Sequence, residues 1–507
     1  MRSDTGTRLQ ERQRGAALLI LLALVTVMLI YAVVAGLNRS AGDLAQARAM
    51  KTATTLAQAK EALIAYAVTY PEDPSHTANL VPGFLPCPDT GSGQEGVAAG
   101  SCGSAMVSQL GRLPWRTLNL DALKDGAGEC LWYAVSGTYK NNPNGVTTST
   151  STSNMMNWDN AALFNVMDAD GASFLAGSNA DNTAVAVILA PGAVVKPAGA
   201  SAVQNRSTVA GTSACGGNYT AANYLENASG VDNSVISTSA NALSSFVAGK
   251  ASDTFNDQLT YITRADIWNA IKKRSDFANS LRALTRRAAE CVALYGTNNS
   301  WGLGDKRVPW ASPISLTNYA VNSRYNDANS DFQGRLSYVV NTSKSATNNT
   351  LSGNNLFIVA PYCWYTQQEL DWYQNWKDHL WYAVAWSHRP SSGRPTSSPC
   401  TTCLRVNGAG SYAAVVMFAG EKLATQSRST SGQLGSMANY LEGRNLSNDP
   451  NSGGNGNYQV GAATSTFNDI VYAVDTNLPT VSCYNGTAMV PVPAAASWPP
   501  GPYAACP

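Results

Sequence analysis

The feature that most constrains this chain is an apolar run near its N-terminus. Residues 16–37 contain no charged side chain, and Arg39 follows them. A helix of about 20 apolar residues is long enough to cross the hydrocarbon core of a bilayer. Before the run, basic residues outnumber acidic ones, with Arg2, Arg8, Arg12 and Arg14 against Asp4 and Glu11. The pattern predicts a cytoplasmic N-terminus, one membrane-spanning helix and an exported remainder.

Gly15 stands between the basic leader and the apolar run. An ordinary secretory signal fits poorly, because its apolar region is usually about 7–15 residues long and ends at a small-residue cleavage site. The arrangement resembles the class III signal of type IV pilins and type II secretion pseudopilins. In that family a prepilin peptidase cuts after this glycine and methylates the new N-terminus. The resemblance implies a cut between Gly15 and Ala16, after which the apolar helix packs into a fibre with other pilin or pseudopilin subunits.

The fifth residue of such a mature chain is Ile20. The family usually has a glutamate there, which is thought to pair with the terminal amine of a neighbouring subunit. A buried carboxylate without a partner is costly, and a subunit with nothing above it has no use for one. The minor pseudopilin that caps type II secretion fibres also lacks this glutamate, as do some minor pilins. The resemblance therefore implies a minor subunit at a fibre tip.

Composition restricts the partners and the compartment. The formal net charge is +1 and 13% of the residues are charged, so no basic surplus exists to attract nucleic acid, and no nucleic-acid partner is predicted. All 10 cysteines lie beyond the apolar run. An even number in an exported region indicates structural disulfides. Connectivity stays open, and the two local pairs that we expect are Cys87–Cys102 and Cys483–Cys506.

Helical periodicity continues past the apolar run as far as Tyr70, where Pro71 ends it. A single helix over residues 16–70 would be about 80 Å long; two separate helices broken near Gly42 are the alternative. The expected organisation is a leader at 1–15, a membrane-spanning and spine helix at 16–70, a first globular module at 71–262 (module 1), a second spine helix at 263–296 and a second globular module at 297–507 (module 2).

Short motifs recur in the same order in the two spine segments and the modules that follow them, which indicates a tandem duplication. The recurring pairs of segments are 60–66 with 289–295, 84–86 with 307–309, 111–115 with 334–338, 131–135 with 380–384, 223–226 with 439–442, and 254–257 with 466–469. The second spine is predicted to begin at Thr263, which forms an approximate capping box with Asp266. The expected fold is α+β, with a long pilin-like N-terminal helix, its first half in the membrane, and two pilin-like modules that each lay an antiparallel sheet on a helix, with long loops and disulfides.

Enzymatic motifs are absent from the sequence, which contains three histidines and no zinc-protease, nucleophile-elbow or phosphate-loop pattern. Cys400 and Cys403 have the spacing of a redox motif but lack its βαβ context, so a structural disulfide is the better interpretation. We predict no catalytic residue, no metal and no cofactor.

Module 2 carries an aromatic-rich insertion between two of its repeated motifs. Its candidate contact residues are Tyr362, Trp364, Tyr365, Trp372, Tyr373 and Trp376. Exposed aromatic residues would mark a contact surface for protein or sugar, whereas buried ones would fill a core. A single sequence favours burial.

The sequence thus predicts a minor pilin or pseudopilin, processed by prepilin peptidase, that acts at the fibre tip in assembly initiation or capping. It would cross the bacterial inner membrane once before assembly, with its modules in the periplasm, and lie in a cell-surface fibre afterwards. One alternative is a pilus-associated adhesin that binds a surface ligand through module 2. Another is an uncleaved, membrane-anchored periplasmic protein.

Overall fold

The fold is α+β and consists mainly of sheet. The computed structural model describes residues 42–142, 155–297, 307–327, 331–340, 366–390, 402–447 and 456–492, with Leu356, Cys363, Cys400 and Cys506. Within these residues the helices are 42–69 (α1), Arg264–Lys272 (α2), Ser275–Thr297 (α3), Gln367–Trp376 (α4), Ser431–Leu434 (α5) and Arg444–Ser447 (α6).

Module 1 contains a seven-stranded sheet and a separate two-stranded hairpin. The strands are Gln109–Arg112 (β1), Trp132–Val135 (β2), Phe164–Met167 (β3), Phe174–Ala176 (β4), Ala184–Ala190 (β5), Asn227–Ala228 (β6), Val231–Asp232 (β7), Ser244–Val247 (β8) and Gln258–Thr263 (β9). The central run β1-β2-β5-β9 is antiparallel throughout. The prediction of a purely antiparallel sheet is wrong in one respect, because β3 and β8 pair in parallel.

Module 2 contains an eight-stranded sheet. Its strands are Gln333–Arg335 (β10), Leu380–Val384 (β11), Leu404–Val406 (β12), Ala409–Phe418 (β13), Asn457–Tyr458 (β14), Ile470–Asp475 (β15), Val481–Tyr484 (β16) and Met489–Pro491 (β17). Its central run β10-β11-β13-β15 is antiparallel and repeats the run β1-β2-β5-β9 of module 1. Here too one pair is parallel, between β12 and β14.

Both sheets are covered on both faces, which explains why their central strands are continuously apolar. All seven residues of β5 are buried. One face of β5 and one face of β13 enter the same large core, which also contains the buried faces of α1, α2 and α3. The opposite faces lie in smaller cores, one in each module. The two modules therefore share one hydrophobic interior.

The repeated motifs form equivalent internal contacts in the two modules. Tyr133 donates a hydrogen bond to the carbonyl of Pro86 at 3.2 Å, and Tyr382 donates to that of Pro309 at 2.9 Å. Arg112 is paired with Trp132 across β1 and β2, and Arg335 with Trp381 across β10 and β11. The repeats therefore specify interior structure.

A buried network of polar side chains also occurs once in each module, and we call it the acid-pair network. In module 1 it consists of Gln204, Arg206, Glu226, Asn256 and Asp257. The backbone N–H of Glu226 donates to Asp257 Oδ2 at 2.9 Å, and the backbone N–H of Asn256 donates to Glu226 Oε2 at 2.9 Å. Gln204 donates to the other oxygen of Glu226, and Arg206 donates to Gln204 Oε1 at 2.6 Å.

Module 2 builds the same network from Gln426, Arg428, Glu442, Asn468 and Asp469. The backbone N–H of Glu442 donates to Asp469 Oδ2 at 3.2 Å, and that of Asn468 donates to Glu442 Oε2 at 3.0 Å. Gln426 donates to Glu442 Oε1 at 2.7 Å. Sequence analysis missed the network, although its signal was present: residues 204–208 and 426–430 both have the pattern Gln-x-Arg-Ser-Thr.

The second predicted spine is two helices, α2 and α3, rather than one. The predicted capping box at its start is confirmed, with the N–H of Asp266 donating to Thr263 Oγ at 3.1 Å and the N–H of Thr263 donating to Asp266 Oδ2 at 2.9 Å. The helix α2 ends at Lys272, and Arg274 lies in the turn before α3. Its guanidinium donates to the carbonyl of Val68 at 3.1 Å and pairs with Glu72, which ties the turn to the end of α1.

Two predictions about the start of the chain need correction. The described residues contain no helix that is long and apolar enough to cross a membrane. The helix described near the N-terminus, α1, carries charged residues such as Asp43, Arg48 and Lys51 and is amphipathic where it meets module 1. The predicted fold with a membrane-spanning first half of the spine, and the predicted single-pass location in the inner membrane, are therefore wrong for the described chain. Residues 16–37, on which both predictions rested, lie outside it.

Candidate functional site: the projecting helix

The first part of α1 projects from the body of the protein. Residues 42–51 are all exposed, and burial begins at Thr52. Ala45, Ala47 and Ala49 lie in this stretch, and alanine is the best helix former. We call residues 42–51 the projecting helix. Its helical structure rests largely on intrinsic propensity, since all of its residues are exposed.

From Thr52 onward one face of α1 packs on module 1. The buried positions recur at helical spacing, at Thr52, Thr55, Leu56, Ala59, Leu63 and Ala67. Thr52 Oγ accepts the N–H of Gly126 at 2.9 Å and donates to the carbonyl of Arg48 at 3.0 Å. A Cβ at Gly126 would lie 2.2 Å from the Arg48 carbonyl oxygen, so only glycine allows this approach. The helix is therefore fixed to the body at the point where it leaves it.

Two apolar side chains lie on the projecting helix. Leu44 is 53% exposed and Met50 is 63% exposed, which are among the highest values for large apolar residues in the described chain. Asp43, Arg48 and Lys51 supply charges of both signs nearby. Large apolar side chains exposed close together can mark a contact surface for another protein. This surface is our candidate functional site.

The other end of α1 is closed by an aromatic cluster. The ring of His76 stacks on Tyr70 with 3.9 Å between centroids, and His76 Nδ1 lies 2.7 Å from the carbonyl oxygen of Tyr70. Burial raises the pKa of Tyr70 to about 12, and the nearby charge of Asp371 acts in the same direction. The tyrosine is therefore neutral over the physiological range. This end of the helix is fixed within the body.

The sequence-predicted processing and docking residues, Gly15, Ala16 and Ile20, lie outside the described residues. Both predicted local disulfides, Cys87–Cys102 and Cys483–Cys506, are present. The remaining cysteines form Cys130–Cys215, Cys291–Cys363 and Cys400–Cys403.

The described aromatic residues of the insertion are core residues. Trp372 is 4% exposed, Tyr373 1% and Trp376 0%. Trp376 packs edge-on against Trp158 of module 1 at 4.7 Å between centroids. Trp376 therefore joins the modules, and none of these three residues offers an exposed contact surface. Tyr362, Trp364 and Tyr365 lie outside the described residues.

His379 also lies at the junction between the modules. Its Nε2 is 3.2 Å from Asp159 Oδ2, and Arg428 of module 2 donates to the same oxygen at 3.0 Å. Burial alone would raise the pKa of Asp159, but its hydrogen bonds and charge interactions with His379 and Arg428 outweigh burial and hold that pKa below its usual range. Asp159 and Arg428 therefore form an ion pair between the two modules.

One group of candidate metal ligands occurs in the part of the chain that the structure describes, formed by His388, Cys400 and Cys403. The two cysteines are joined in a disulfide. Disulfide sulfur is not a thiolate, the form in which cysteine binds metals. In this state the group is therefore not a metal site.

Comparisons with models of protein families, with curated proteins and with solved structures found no match to this chain.

Proposed function

We propose that this chain is a minor subunit of a fibre of the type IV pilus or type II secretion kind, processed by prepilin peptidase between Gly15 and Ala16. Its N-terminal helix docks among other subunits, and the subunit acts at the fibre tip in assembly initiation or capping. The projecting helix carries the proposal. The class III signal of the sequence supports it, because the apolar run at residues 16–37 precedes this helix in the sequence.

The size of the body supports a place at the tip. Both modules share one core and are joined by the buried Trp158–Trp376 contact, so they form a single wide unit at the end of one helix. A body of this width would obstruct the close helical packing of a shaft but fits at an end. The five disulfides suit an oxidising compartment. The adhesin alternative has no support from Trp372, Tyr373 and Trp376, which are buried, and we do not propose it.

Site-specific photocrosslinking in fibre-producing cells tests the proposal. A photoreactive amino acid is placed at Leu44 or Met50 of the projecting helix. Matched controls carry it at Val235 and Leu243 of module 1, which are 60% and 58% exposed. We expect crosslinks from Leu44 and Met50 to other subunits that carry class III signals, because helices pack there, and far fewer from the controls.

Equal crosslinking from helix and control positions would contradict the proposal. The mature N-terminus is read by mass spectrometry in the same cells. A methylated Ala16 is expected, and an intact leader would contradict processing even if the helix crosslinks.

A further inference from the structure

The Cys400–Cys403 disulfide lies beside two buried polar side chains that the proposed function does not use. Ser387 and His388 belong to a short helical turn, Trp386–His388, that follows β11, and both are buried. Cys403 is 2% exposed and directly precedes β12. Cys400 is partly exposed. The disulfide thus joins a buried cysteine to a partly exposed one, and a serine and a histidine lie beside it.

The distances define a chain of hydrogen-bonding groups that ends on the disulfide. Ser387 Oγ lies 2.9 Å from His388 Nδ1, 2.9 Å from Cys400 Sγ and 3.5 Å from Cys403 Sγ. His388 Nδ1 lies 4.0 Å from Cys403 Sγ. A disulfide sulfur has no proton to donate, so in these contacts it can only accept. When Nδ1 carries the imidazole proton, it donates to Ser387 Oγ, and the serine hydroxyl is free to donate to sulfur.

We propose that Ser387, His388, Cys400 and Cys403 form a thiol–disulfide exchange site for a dithiol reductant. A thiolate of the reductant attacks Sγ of the partly exposed Cys400 and forms a mixed disulfide. The bond between the two cysteines breaks, and its electron pair passes to Cys403 Sγ. This sulfur takes the proton of Ser387 Oγ, which in turn takes the Nδ1 proton of His388 in its imidazolium form and leaves the imidazole neutral.

The second thiol of the reductant completes the exchange. As a thiolate it attacks the reductant's own sulfur in the mixed disulfide, and Cys400 leaves and is protonated from solvent. Two electrons and two protons have then moved to the protein, and the reductant has become a disulfide. Exchange is fastest where the attacked sulfur is accessible and the leaving thiolate is stabilised. Here Cys400 is partly exposed, and Ser387 Oγ lies 3.5 Å from the leaving sulfur of Cys403.

The Cys87–Cys102 disulfide is a matched control within the same chain. It also closes a short loop, with a sequence separation of 15, and both of its cysteines are buried. Its sulfurs face the backbone carbonyl of Asn142, which cannot supply a proton.

The test measures how fast each disulfide opens in the native full chain. The protein is treated with dithiothreitol, quenched with acid, alkylated and analysed by mass spectrometry, which reports each cysteine separately. We expect Cys400–Cys403 to open about tenfold or more faster than Cys87–Cys102. Equal rates would overturn the proposal.

Variants separate chemical assistance from simple exposure. Ser387→Ala and His388→Gln should each slow the opening of Cys400–Cys403 about tenfold, as expected for loss of general acid catalysis, and should change its pH profile. Ser387→Thr keeps the hydroxyl and should retain the rate. The rate of Cys87–Cys102 reports whether each variant is folded. Unchanged rates in both folded variants would overturn the proposal; if one variant does not fold, the other decides.

Discussion

Module 1 and module 2 contain the same acid-pair network, but the arginine of each network has a different partner. In module 1, Arg206 pairs with Glu129 of its own module at 3.3 Å, and the Glu129 side chain is 26% exposed. In module 2, Arg428 pairs with the buried Asp159 of the other module. Both arginines also donate to the carbonyl of the equivalent asparagine, at 3.0 Å to Asn223 and 2.6 Å to Asn439.

The difference shows how one structural unit serves two purposes. The contacts from each arginine to the equivalent asparagine stabilise the interior of its own module. The carboxylate that pairs with the arginine differs: in module 1 it is the partly exposed Glu129, and in module 2 it is Asp159 of the other module. The network of module 2 therefore joins the two modules, whereas that of module 1 stabilises only module 1.

The two buried arginines of the first strands give the largest expected effect. Arg335 donates to three backbone carbonyls, those of Ile314, Asp378 and Leu434, and no nitrogen of its guanidinium is without a partner. Arg112 Nε and Nη1 have no hydrogen-bond partner among the described residues. Arg335→Met should lower the free energy of unfolding by about 4 kcal/mol, because it leaves buried carbonyls unpaired, and Arg112→Met by about 2 kcal/mol.

Urea denaturation of both variants measures this difference. The exposed Arg282 of α3, replaced by methionine, controls for the loss of a charge. An Arg112 variant that is destabilised as much as the Arg335 variant would contradict the expected difference between the two arginines.

The junction contact gives the next largest effect. Asp159→Asn removes the carboxylate that Arg428 and His379 share, and should lower the free energy of unfolding by about 2–3 kcal/mol. Glu129→Gln removes the equivalent partner in module 1 and should cost about 0.5 kcal/mol, because that pair is partly exposed. Thermal unfolding by calorimetry measures both, and equal effects would show that the junction contact is not special.

The Asp159 contact also has a defined pH dependence. Its folded-state pKa lies below the unfolded value of about 3.9. The stabilisation is therefore fully present above that value and is lost as the pH falls through the folded-state pKa. The difference between wild type and Asp159→Asn should stay constant above about pH 5 and shrink in strong acid.

Features that depend on neighbouring residues could be predicted from the sequence. Thr263 and Asp266 are three residues apart, and their capping box was predicted correctly. The pairs Cys87–Cys102 and Cys483–Cys506 close short loops and were also predicted. The repeated motifs were recognised because each is continuous in the chain.

Contacts between distant residues could not be predicted in this way. Asp159 and Arg428 come from different modules, and nothing near either residue in the sequence identifies the other. Trp376 belongs to an aromatic segment whose sequence does not distinguish a buried from an exposed position. It packs against Trp158, which is far away in the chain. The proximity of Ser387 and His388 to the disulfide could not be predicted either, because residues 389–399 separate them from Cys400 in the sequence.

An expected effect smaller than that of the junction contact concerns the carboxyl pairs inside the two networks. Burial, and next the charge of the neighbouring glutamate, raise the pKa of Asp257 and of Asp469 well above the usual value. A raised folded-state pKa means that the stabilisation is fully present below about pH 3.9 and is lost as the pH rises through the folded-state pKa. Asp257→Asn and Asp469→Asn keep an acceptor oxygen for the backbone N–H and remove the carboxyl group that titrates.

Each of these variants should therefore gain about 1 kcal/mol relative to wild type between pH 4 and pH 7. Urea denaturation across this range measures the gain, with the exposed Asp253→Asn as the control. The two modules should respond alike, because here the networks are equivalent in every contact that touches the aspartate. If only one variant gained stability, contacts at the junction between the modules would affect the carboxyl pair. The two networks would then not be equivalent around the aspartate.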